Sequence, residues 1–380
     1  MGHTALPATH TALDSIQIIH AWQTGSMTAS SQSGFDFPHA FAVVTSERAA
    51  TPRTGPSSGC AVGTESLGTQ SGSAQPVTQP ACTHPRGSQL ISTRSISGQP
   101  GSIQPVTQPG GTSTPPTRHP RAATGASSSY RILHTVEDND ARFPLASVTK
   151  LLSAWAVLTA VEHGLLTLDD AAGPPNSTVR HLLAHASGLP AERGEPIAPP
   201  GQRRIYSNYG FELLGDYTAT RVGESFQEWI EESVLLPLGM ADTDVDGSPA
   251  HSGISTVSDL ALFAVELLHP TLISPELLAA AATVQFPGLA GILPGYGRQQ
   301  SNDWGLGVEI RDHKQPHWTG DSFSPRTFGH FGQSGSFLWV DPIADDGAGR
   351  AGIFLGAERF GAAHVAGWPT LTNAMRAWQP

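Results

Sequence analysis

A stretch without aromatic residues interrupts this 380-residue chain between two segments that have the pattern of β-strands. Residues 49–129 contain no Phe, Tyr or Trp and consist mainly of Gly, Ser, Thr, Pro and Gln. Such a composition cannot bury enough apolar surface to offset the entropy lost on ordering, so we predict that this insert is disordered. The folded part must then be assembled from residues on both sides of it, 1–48 and 130–380.

Apolar and β-branched residues next to the insert predict two neighbouring strands, Phe37–Ser46 and Arg131–Glu137. The insert would then be the long loop of a hairpin, which is tolerable because loop-closure entropy grows slowly with length. Upstream, Thr11–Trp22 is predicted to form a short helix. Within the insert, Ser73–Pro80 recurs with one change as Ser102–Pro109, which indicates either a duplication in a tolerated loop or a Pro-rich docking module.

The middle of the chain has helical patterns and its last part has strand patterns. The predicted helices are Leu151–Glu162, Val179–His185, Tyr209–Val222, Phe226–Leu236, Val257–His269, one beginning at Ser274, and a closing helix over Ala362–Trp378. The predicted late strands are Trp304–Ile310, Thr327–Phe331, Gly335–Val340 and Ala351–Ala357. Strands from both ends with helices between them predict an α+β fold, in which an antiparallel sheet is flanked by terminal helices and carries an inserted all-helical lobe at about 151–290.

Composition and charge exclude several classes of protein. A formal net charge of −11 argues against general affinity for nucleic acid or anionic membranes. The sequence contains no run of about twenty apolar residues, which is the length needed to span a bilayer. No Lys or Arg precedes Arg48, so we expect no signal peptide and a cytoplasmic protein, unless the chain begins upstream of Met1. The two cysteines, Cys60 and Cys82, lie in the insert and cannot build a disulfide framework.

Ser147 and Lys150 are three residues apart at the start of a predicted apolar helix, so their side chains share one face. A serine hydroxyl becomes a good nucleophile when a base takes its proton, and a lysine can be that base because its pKa falls on burial. Arginine cannot substitute, since it keeps its proton. Lys150 is one of only two lysines in the chain, the other being Lys314. The alternative is a capping serine followed by a solvated lysine.

Two further stretches carry candidate site residues. Tyr206 and Asn208 stand at the start of a predicted helix, where Asn208 could cap the helix and Tyr206 could shuttle protons. In the stretch Gly329–Gly335, Gly332 would let an acyl group approach the backbone, and the Gln333 N–H could form an oxyanion hole with the Ser147 N–H. The alternatives are a tyrosine packed at a helix start and a glycine-rich bend with a structural histidine.

His181 and His185 have the i, i+4 spacing that can grip a metal on a helix. No acidic residue follows His181 as in a zinc protease, and no third ligand is apparent. We therefore predict no metal site, and the sequence implies no organic cofactor.

Taken in chain order, these stretches resemble the three motifs of the penicillin-recognising serine hydrolases, and most closely their class C β-lactamase-like branch, which includes DD-peptidases and esterases. The matching residues are Ser147-x-x-Lys150, Tyr206-x-Asn208 and His330-x-Gly332, framed by His181–Leu189, Pro200–Gly210 and Pro237–Met240. The resemblance covers residues 130–380, with the strand at 37–46, and excludes the insert.

The resemblance implies that Ser147 forms an acyl-enzyme while Lys150 and Tyr206 handle the protons. Which of the two is the base stays open. It also implies that Asn208 contacts the acyl side of the substrate and that the Ser147 and Gln333 amides hold the oxyanion. No cofactor is implied, and the expected partner is a small-molecule acyl substrate; the oligomeric state is not determined by the sequence.

His330 stands where many β-lactamases have a lysine, and a mostly neutral histidine grips a substrate carboxylate less. Together with the expected cytoplasmic location, this favours an esterase or amidase-like hydrolase with weak or no β-lactamase activity. A DD-peptidase or β-lactamase is the alternative if an upstream start adds an export signal. A second alternative is a non-catalytic sensor or scaffold that works through residues 49–129.

Overall fold

The structure, a computed structural model, describes residues 39–46, 130–136, 141–343 and 349–378. The predicted helix Thr11–Trp22, the predicted disordered insert and both cysteines lie outside these residues. None of the helices within the described ranges is both long enough and apolar enough to cross a bilayer.

The described residues form ten strands and eight α-helices. The strands are β1 (His39–Ser46), β2 (Tyr130–Val136), β3 (Phe143–Pro144), β4 (Ile254–Ser255), β5 (Gly291–Leu293), β6 (Gly297–Gln299), β7 (Glu309–Ile310), β8 (Phe328–Phe331), β9 (Phe337–Asp341) and β10 (Arg350–Gly356). The helices are α1 (Thr149–Glu162), α2 (Val179–Leu183), α3 (Asn208–Val222), α4 (Phe226–Ile230), α5 (Leu236–Leu238), α6 (Val257–Leu268), α7 (Pro275–Ala281) and α8 (Ala362–Ala377). A 3-10 turn, Ala146–Val148, leads into α1, and a π-helical segment, Glu231–Leu235, joins α4 to α5.

Six strands form one antiparallel sheet in the order β2-β1-β10-β9-β8-β7. The first two strands in the chain thus pair with the last one, which confirms that the sheet is assembled from both ends of the sequence. Strands β1 and β2 are neighbours, and Ser46 is the register partner of Tyr130. The two residues that flank the intervening segment therefore lie side by side.

The sheet is buried on both faces. In β1, Ala40, Ala42 and Val44 belong to the larger core with the helical lobe, while Phe41 and Val43 belong to a second, aromatic core. This alternation follows from the two-residue period of a strand. Helix α6 packs on the first face and α8 on the second. The prediction of an α+β fold with an inserted helical lobe is confirmed.

Helix α1 lies at the centre of the helical lobe. Every residue from Thr149 to Ala160 is buried, as expected of a helix that is apolar on all sides. Its two early hydroxyls are bonded to the loop before β4: Thr149 Oγ1 accepts from the Gly253 N–H at 2.9 Å, and Ser153 Oγ donates to the Pro249 carbonyl at 2.6 Å. This loop therefore lies against the first turns of α1.

Two local predictions were wrong in their extent. Of the predicted strand Trp304–Ile310, only Glu309–Ile310 is a strand, because the chain turns tightly between Trp304 and Glu309, which form a bridge. Gly307 has φ +80°, and a Cβ on Gly305 would lie 1.9 Å from the Ala281 carbonyl oxygen. Glycine is therefore required at both positions of the turn. The apolar pattern of this segment predicted a continuous strand and gave no sign of the turn.

The second correction concerns the helix predicted over Val179–His185. It ends at Leu183, and His185 lies beyond it with a left-handed φ of +53°. The two histidines therefore do not occupy one helix face.

Candidate active site

The turn that carries Ser147 is held between the sheet and the helical lobe. Strand β3 pairs with β4, and the Leu145 N–H donates to the Gly253 carbonyl at 2.8 Å. Ala146 then adopts a left-handed φ of +44°, which turns the chain sharply into the 3-10 turn before α1. Ser147 is thereby presented at the N-terminal end of α1, on a rigid support.

Lys150 lies directly beneath Ser147 and is completely buried. Its Nζ is 3.4 Å from Ser147 Oγ, 2.7 Å from Asn208 Oδ1 and 2.8 Å from the Ala250 carbonyl oxygen. Burial lowers the pKa of Lys150 to about 7, against the opposing effect of the Glu212 and Glu192 carboxylates. The predicted shared face of Ser147 and Lys150 is confirmed, and the alternative of a solvated lysine is excluded.

Tyr206 also contacts Ser147, and its ring centroid lies 4.7 Å from Lys150 Nζ. Its hydroxyl donates to Ser147 Oγ at 2.7 Å. Burial raises the pKa of the Tyr206 phenol, so the group keeps its proton. The ring is held by three aromatic neighbours, with centroids 4.6 Å from His185, 5.8 Å from His330 and 5.9 Å from Trp304.

Asn208 is the first residue of α3 and not its cap. The cap is Ser207, whose Oγ accepts from the Gly210 N–H at 2.9 Å. The Asn208 side chain is therefore available to the site: Oδ1 accepts from Lys150, and Nδ2 donates to Glu192 Oε1 at 2.9 Å. The sequence pattern identified the residue but not its contacts, since both partners are distant in the chain.

His330, on β8, is buried and electrically neutral. Its Nδ1 lies 2.7 Å from the Phe331 carbonyl oxygen, so Nδ1 carries the proton. Its Nε2 is buried without a hydrogen-bond partner among the described residues. Burial and the nearby Lys150 charge lower the pKa of His330 to about 3. The side chain therefore offers the site a lone pair and no positive charge.

Gly332 makes room for the protein's own backbone, which corrects the expectation that an acyl group approaches there. A Cβ on Gly332 would lie 2.4 Å from the Leu145 carbonyl oxygen and 3.1 Å from the Ser147 nitrogen. The Gly332–Gln333 segment is thus pressed against the turn that carries Ser147. Neither the Ser147 N–H nor the Gln333 N–H donates a backbone hydrogen bond within the described residues, so both are available to an oxyanion.

These residues surround a cavity of about 240 Å³. Five of the seven residues predicted from sequence line it, while Lys150 lies beneath it and Gly332 behind it. The lining residues are Ser147, Tyr206, Asn208, Leu293, Pro294, Trp304, Glu309, His330, Phe331 and Gln333. The sequence analysis did not predict that the β5–β6 hairpin, Trp304 and Glu309 belong to the site. The glycines at 305 and 307 could have indicated a turn after Trp304.

The Glu309 carboxylate at this cavity is already engaged. Its Oε1 accepts from Lys314 Nζ at 2.7 Å and lies 3.0 Å from His317 Nε2, and its Oε2 accepts from the Trp318 indole N–H. Lys314 and His317 hold the pKa of Glu309 well below its usual range despite burial. The second lysine of the chain is therefore paired with a carboxylate, whereas the described hydrogen bonds of Lys150 go to neutral oxygens.

His181 and His185 point to different surroundings. His181 Nδ1 is 2.9 Å from Thr178 Oγ1 and its ring lies on Phe286, whereas His185 Nδ1 accepts from the Ser207 N–H at 3.2 Å. Within the described ranges, no three His, Cys, Asp or Glu side chains are grouped so that they could hold a metal ion.

The model of the β-lactamase family matches residues 134–364 of this chain. The chain belongs to the β-lactamase family. It is 52% identical to a β-lactamase from Mycobacterium bovis of known structure, with a TM-score of 0.63, over 65% of this chain and 90% of that one. A β-lactamase-like protein from Bacteroides dorei, 18% identical with a TM-score of 0.52 over 66% and 91% of the two chains, shares the fold.

Curated relatives match over shorter regions. The D-alanyl-D-alanine-carboxypeptidase/endopeptidase AmpH of Escherichia coli is 28% identical over 142 residues, which are 28% of this chain and 37% of that protein. Penicillin-binding protein 4* of Bacillus subtilis is 30% identical over 136 residues, 27% of this chain and 30% of that protein. The matches span about a third of the length of these relatives. They agree with a place among the penicillin-recognising serine hydrolases.

Proposed function

We propose that this chain is a serine hydrolase that forms an acyl-enzyme on Ser147 and acts on small esters, with weak or no β-lactamase activity. The observation that carries the proposal is the position of Ser147 Oγ, 2.7 Å from the Tyr206 hydroxyl and 3.4 Å from Lys150 Nζ. A serine held between a buried amine and a phenol has both a proton acceptor and a proton donor within reach.

Lys150 is the stronger candidate for the general base. With a pKa of about 7, a large fraction of its amine is neutral at neutral pH. A neutral amine has two N–H donors, which match the Asn208 and Ala250 oxygens, and one lone pair, which is left for the Ser147 proton. Burial keeps Tyr206 protonated at neutral pH. It can therefore donate a proton to a departing alkoxide, which is more basic than a phenolate.

The proposed reaction has two steps. Ser147 Oγ attacks the ester carbonyl and passes its proton to Lys150, while the Ser147 and Gln333 N–H groups receive the oxyanion. When the C–O bond to the alcohol breaks, Tyr206 donates a proton to the leaving oxygen and recovers one from Lys150. A water molecule then attacks the acyl-enzyme carbonyl, and its proton returns to Ser147 by the reverse route, through Tyr206 and Lys150. The bond between the acyl group and Ser147 breaks, and the acid is released.

The preference for esters is supported by the charge of the site. No Lys or Arg is found among the described residues that line the Ser147 cavity, and its one acid is Glu309. His330 is neutral over the physiological range. A carboxylate close to the scissile bond, as in a penicillin, would meet no fixed positive charge on this wall, whereas a neutral ester has no such need.

The second candidate is hydrolysis of β-lactams or of D-alanyl peptides. It is favoured by the relatives, since the 52% identical protein from Mycobacterium bovis is a β-lactamase by name and AmpH is a D-alanyl-D-alanine carboxypeptidase.

Intact-protein mass after brief exposure to a penicillin or to 4-nitrophenyl butyrate tests both candidates, with release of nitrophenol followed in parallel. We expect rapid ester turnover and little penicillin adduct, and both should vanish in Ser147→Ala, which should melt within a few degrees of the wild type. Faster reaction with penicillin would favour the second candidate. Ester hydrolysis retained by purified Ser147→Ala would exclude Ser147 as the nucleophile, and no reaction with either would favour a non-catalytic role.

A further inference from the structure

A second cavity of about 590 Å³ adjoins the Ser147 cavity. The two share Tyr206 and Pro294 in their linings, so a substrate that reacts at Ser147 can extend past these residues into the larger space. The walls of the second cavity come from two segments, residues 191–206 and the β5–β6 hairpin. Sequence reasoning assigned no function to either wall beyond Tyr206.

The β5–β6 hairpin separates the two cavities. Leu293 is buried and faces the Ser147 cavity, whereas Ile292 and Arg298 are cross-strand partners on the other face and line the second cavity. The alternation of faces along a strand explains this division. The hairpin therefore presents an apolar residue and a cation, side by side, to the larger space.

The opposite wall carries two arginines, Arg203 and Arg204. Arg204 is buried and donates to the Asn302, Gln285 and other carbonyl oxygens, which fixes the segment. Its neighbour Arg203 is exposed and lines the cavity. Within the described part of the chain, neither Arg203 nor Arg298 forms an ion pair or a side-chain hydrogen bond, and no acid lines the cavity.

Apolar surface accompanies these cations. Ile292 is 68% exposed and Ile197 is 61% exposed, and both line the cavity. Contact with the alkyl chain of a ligand would remove these exposed isoleucine side chains from water, which is favourable. Two unpaired arginines in a chain of net charge −11 mark the place where an anion would be attracted.

We infer that the second cavity binds the far end of the substrate, and that this end is an apolar chain that terminates in a carboxylate. Arg203 and Arg298 would bind the carboxylate, and Ile197 and Ile292 would contact the chain. The inference rests on the proposed esterase function. It differs from recognition of a penicillin carboxylate, which lies next to the scissile bond and not at the end of a chain.

Two matched pairs of esters test the inference. On the acyl side, 4-nitrophenyl hydrogen adipate is compared with 4-nitrophenyl hexanoate, which has an acyl chain of the same length but no carboxylate. On the alcohol side, 4-acetoxybenzoate is compared with 4-acetoxybenzamide. We expect a roughly tenfold lower KM for the carboxylate ester in one of the pairs, as for one charged hydrogen bond. The pair that responds also identifies the side that enters the cavity.

The variants Arg203→Gln and Arg298→Gln, singly and combined, should abolish this difference and leave turnover of the neutral esters unchanged. Arg193→Gln is the matched control, because Arg193 is exposed, stacks on Tyr209 and lines neither cavity. High salt should reduce the preference in the wild type. Equal KM values within both pairs, or a preference that survives in the double variant, would overturn the inference and leave the esterase function standing.

Binding of adipate by calorimetry separates the two proposals. In Ser147→Ala the cavity stays intact, so adipate should bind this variant as it binds the wild type and should bind the double arginine variant at least tenfold more weakly. If no ester is hydrolysed but adipate binding depends on the arginines, the esterase proposal fails and the anion site stands. If adipate does not bind, the anion site fails.

Discussion

Asn208 Oδ1 lies 2.7 Å from Lys150 Nζ, a contact that joins the start of α3 to the first turn of α1. The amide is held in this orientation because its Nδ2 donates to Glu192. One acceptor position around the lysine nitrogen is thus set by a residue 58 positions away in the chain. The contact fixes the direction of the remaining lone pair toward Ser147, which is what a neutral lysine needs to act as a base.

The pH dependence of ester hydrolysis should report the pKa of Lys150. Since the neutral amine is the active form, kcat/KM for a neutral ester should be low in acid and rise through about pH 7. Glu212→Gln removes the larger of the two carboxylate effects that raise this pKa, so the midpoint should move to lower pH. Glu276→Gln, an exposed acid in the first turn of α7, is the control. If the midpoint of the pH profile is the same in Glu212→Gln as in the wild type, Lys150 is not the base.

His330→Lys should change the choice of substrate. A lysine there would place a cation where the neutral imidazole now lies, and kcat/KM for a penicillin relative to a neutral ester should rise roughly tenfold. His330→Gln, which stays neutral, should leave the ratio near that of the wild type. Equal ratios of penicillin to ester kcat/KM in all three proteins would show that the charge at position 330 does not determine the choice of substrate.

Replacement of residues 47–129 by Asn-Gly should preserve both fold and activity. Ser46 and Tyr130 are register partners in β1 and β2, so a two-residue turn can join them. We expect a melting temperature within about 4 °C of the wild type, which corresponds to roughly 1 kcal/mol, and unchanged ester turnover. A drop of roughly 10 °C would mean that the replaced residues contribute to packing.

Gly332→Ala should disturb the turn that carries Ser147. The added methyl group would lie 2.4 Å from the Leu145 carbonyl oxygen, so one of the two backbone segments must move. Such overpacking costs about 1–3 kcal/mol, and the displaced Ser147 should lower kcat more than it raises KM. Gly361→Ala is the comparison, because its Cβ would have no neighbour closer than 3.8 Å. Normal kcat in Gly332→Ala would show that the turn tolerates the shift.

Structural features that depend on residues close together in the sequence could be predicted. The spacing of Ser147 and Lys150 sets their shared face, because three residues make nearly one helical turn. The strand patterns on both sides of the insert likewise predicted that the ends of the chain share a sheet. Where glycines imposed a turn, as after Trp304, the apolar pattern predicted a strand that is not there.

The sequence by itself determined the family, the order of the strands and helices along the chain, and which serine and lysine meet. Only the tertiary structure decided the charge of the site and its extent. His330 is neutral and Lys150 has a pKa of about 7 because distant elements exclude water from both. The proposed carboxylate subsite likewise depends on the pairing of the hairpin that carries Arg298 with the segment that carries Arg203, through a bridge between Arg204 and Gly291. Burial and cavities are properties of surfaces brought together from distant parts of the chain, and local patterns cannot encode them.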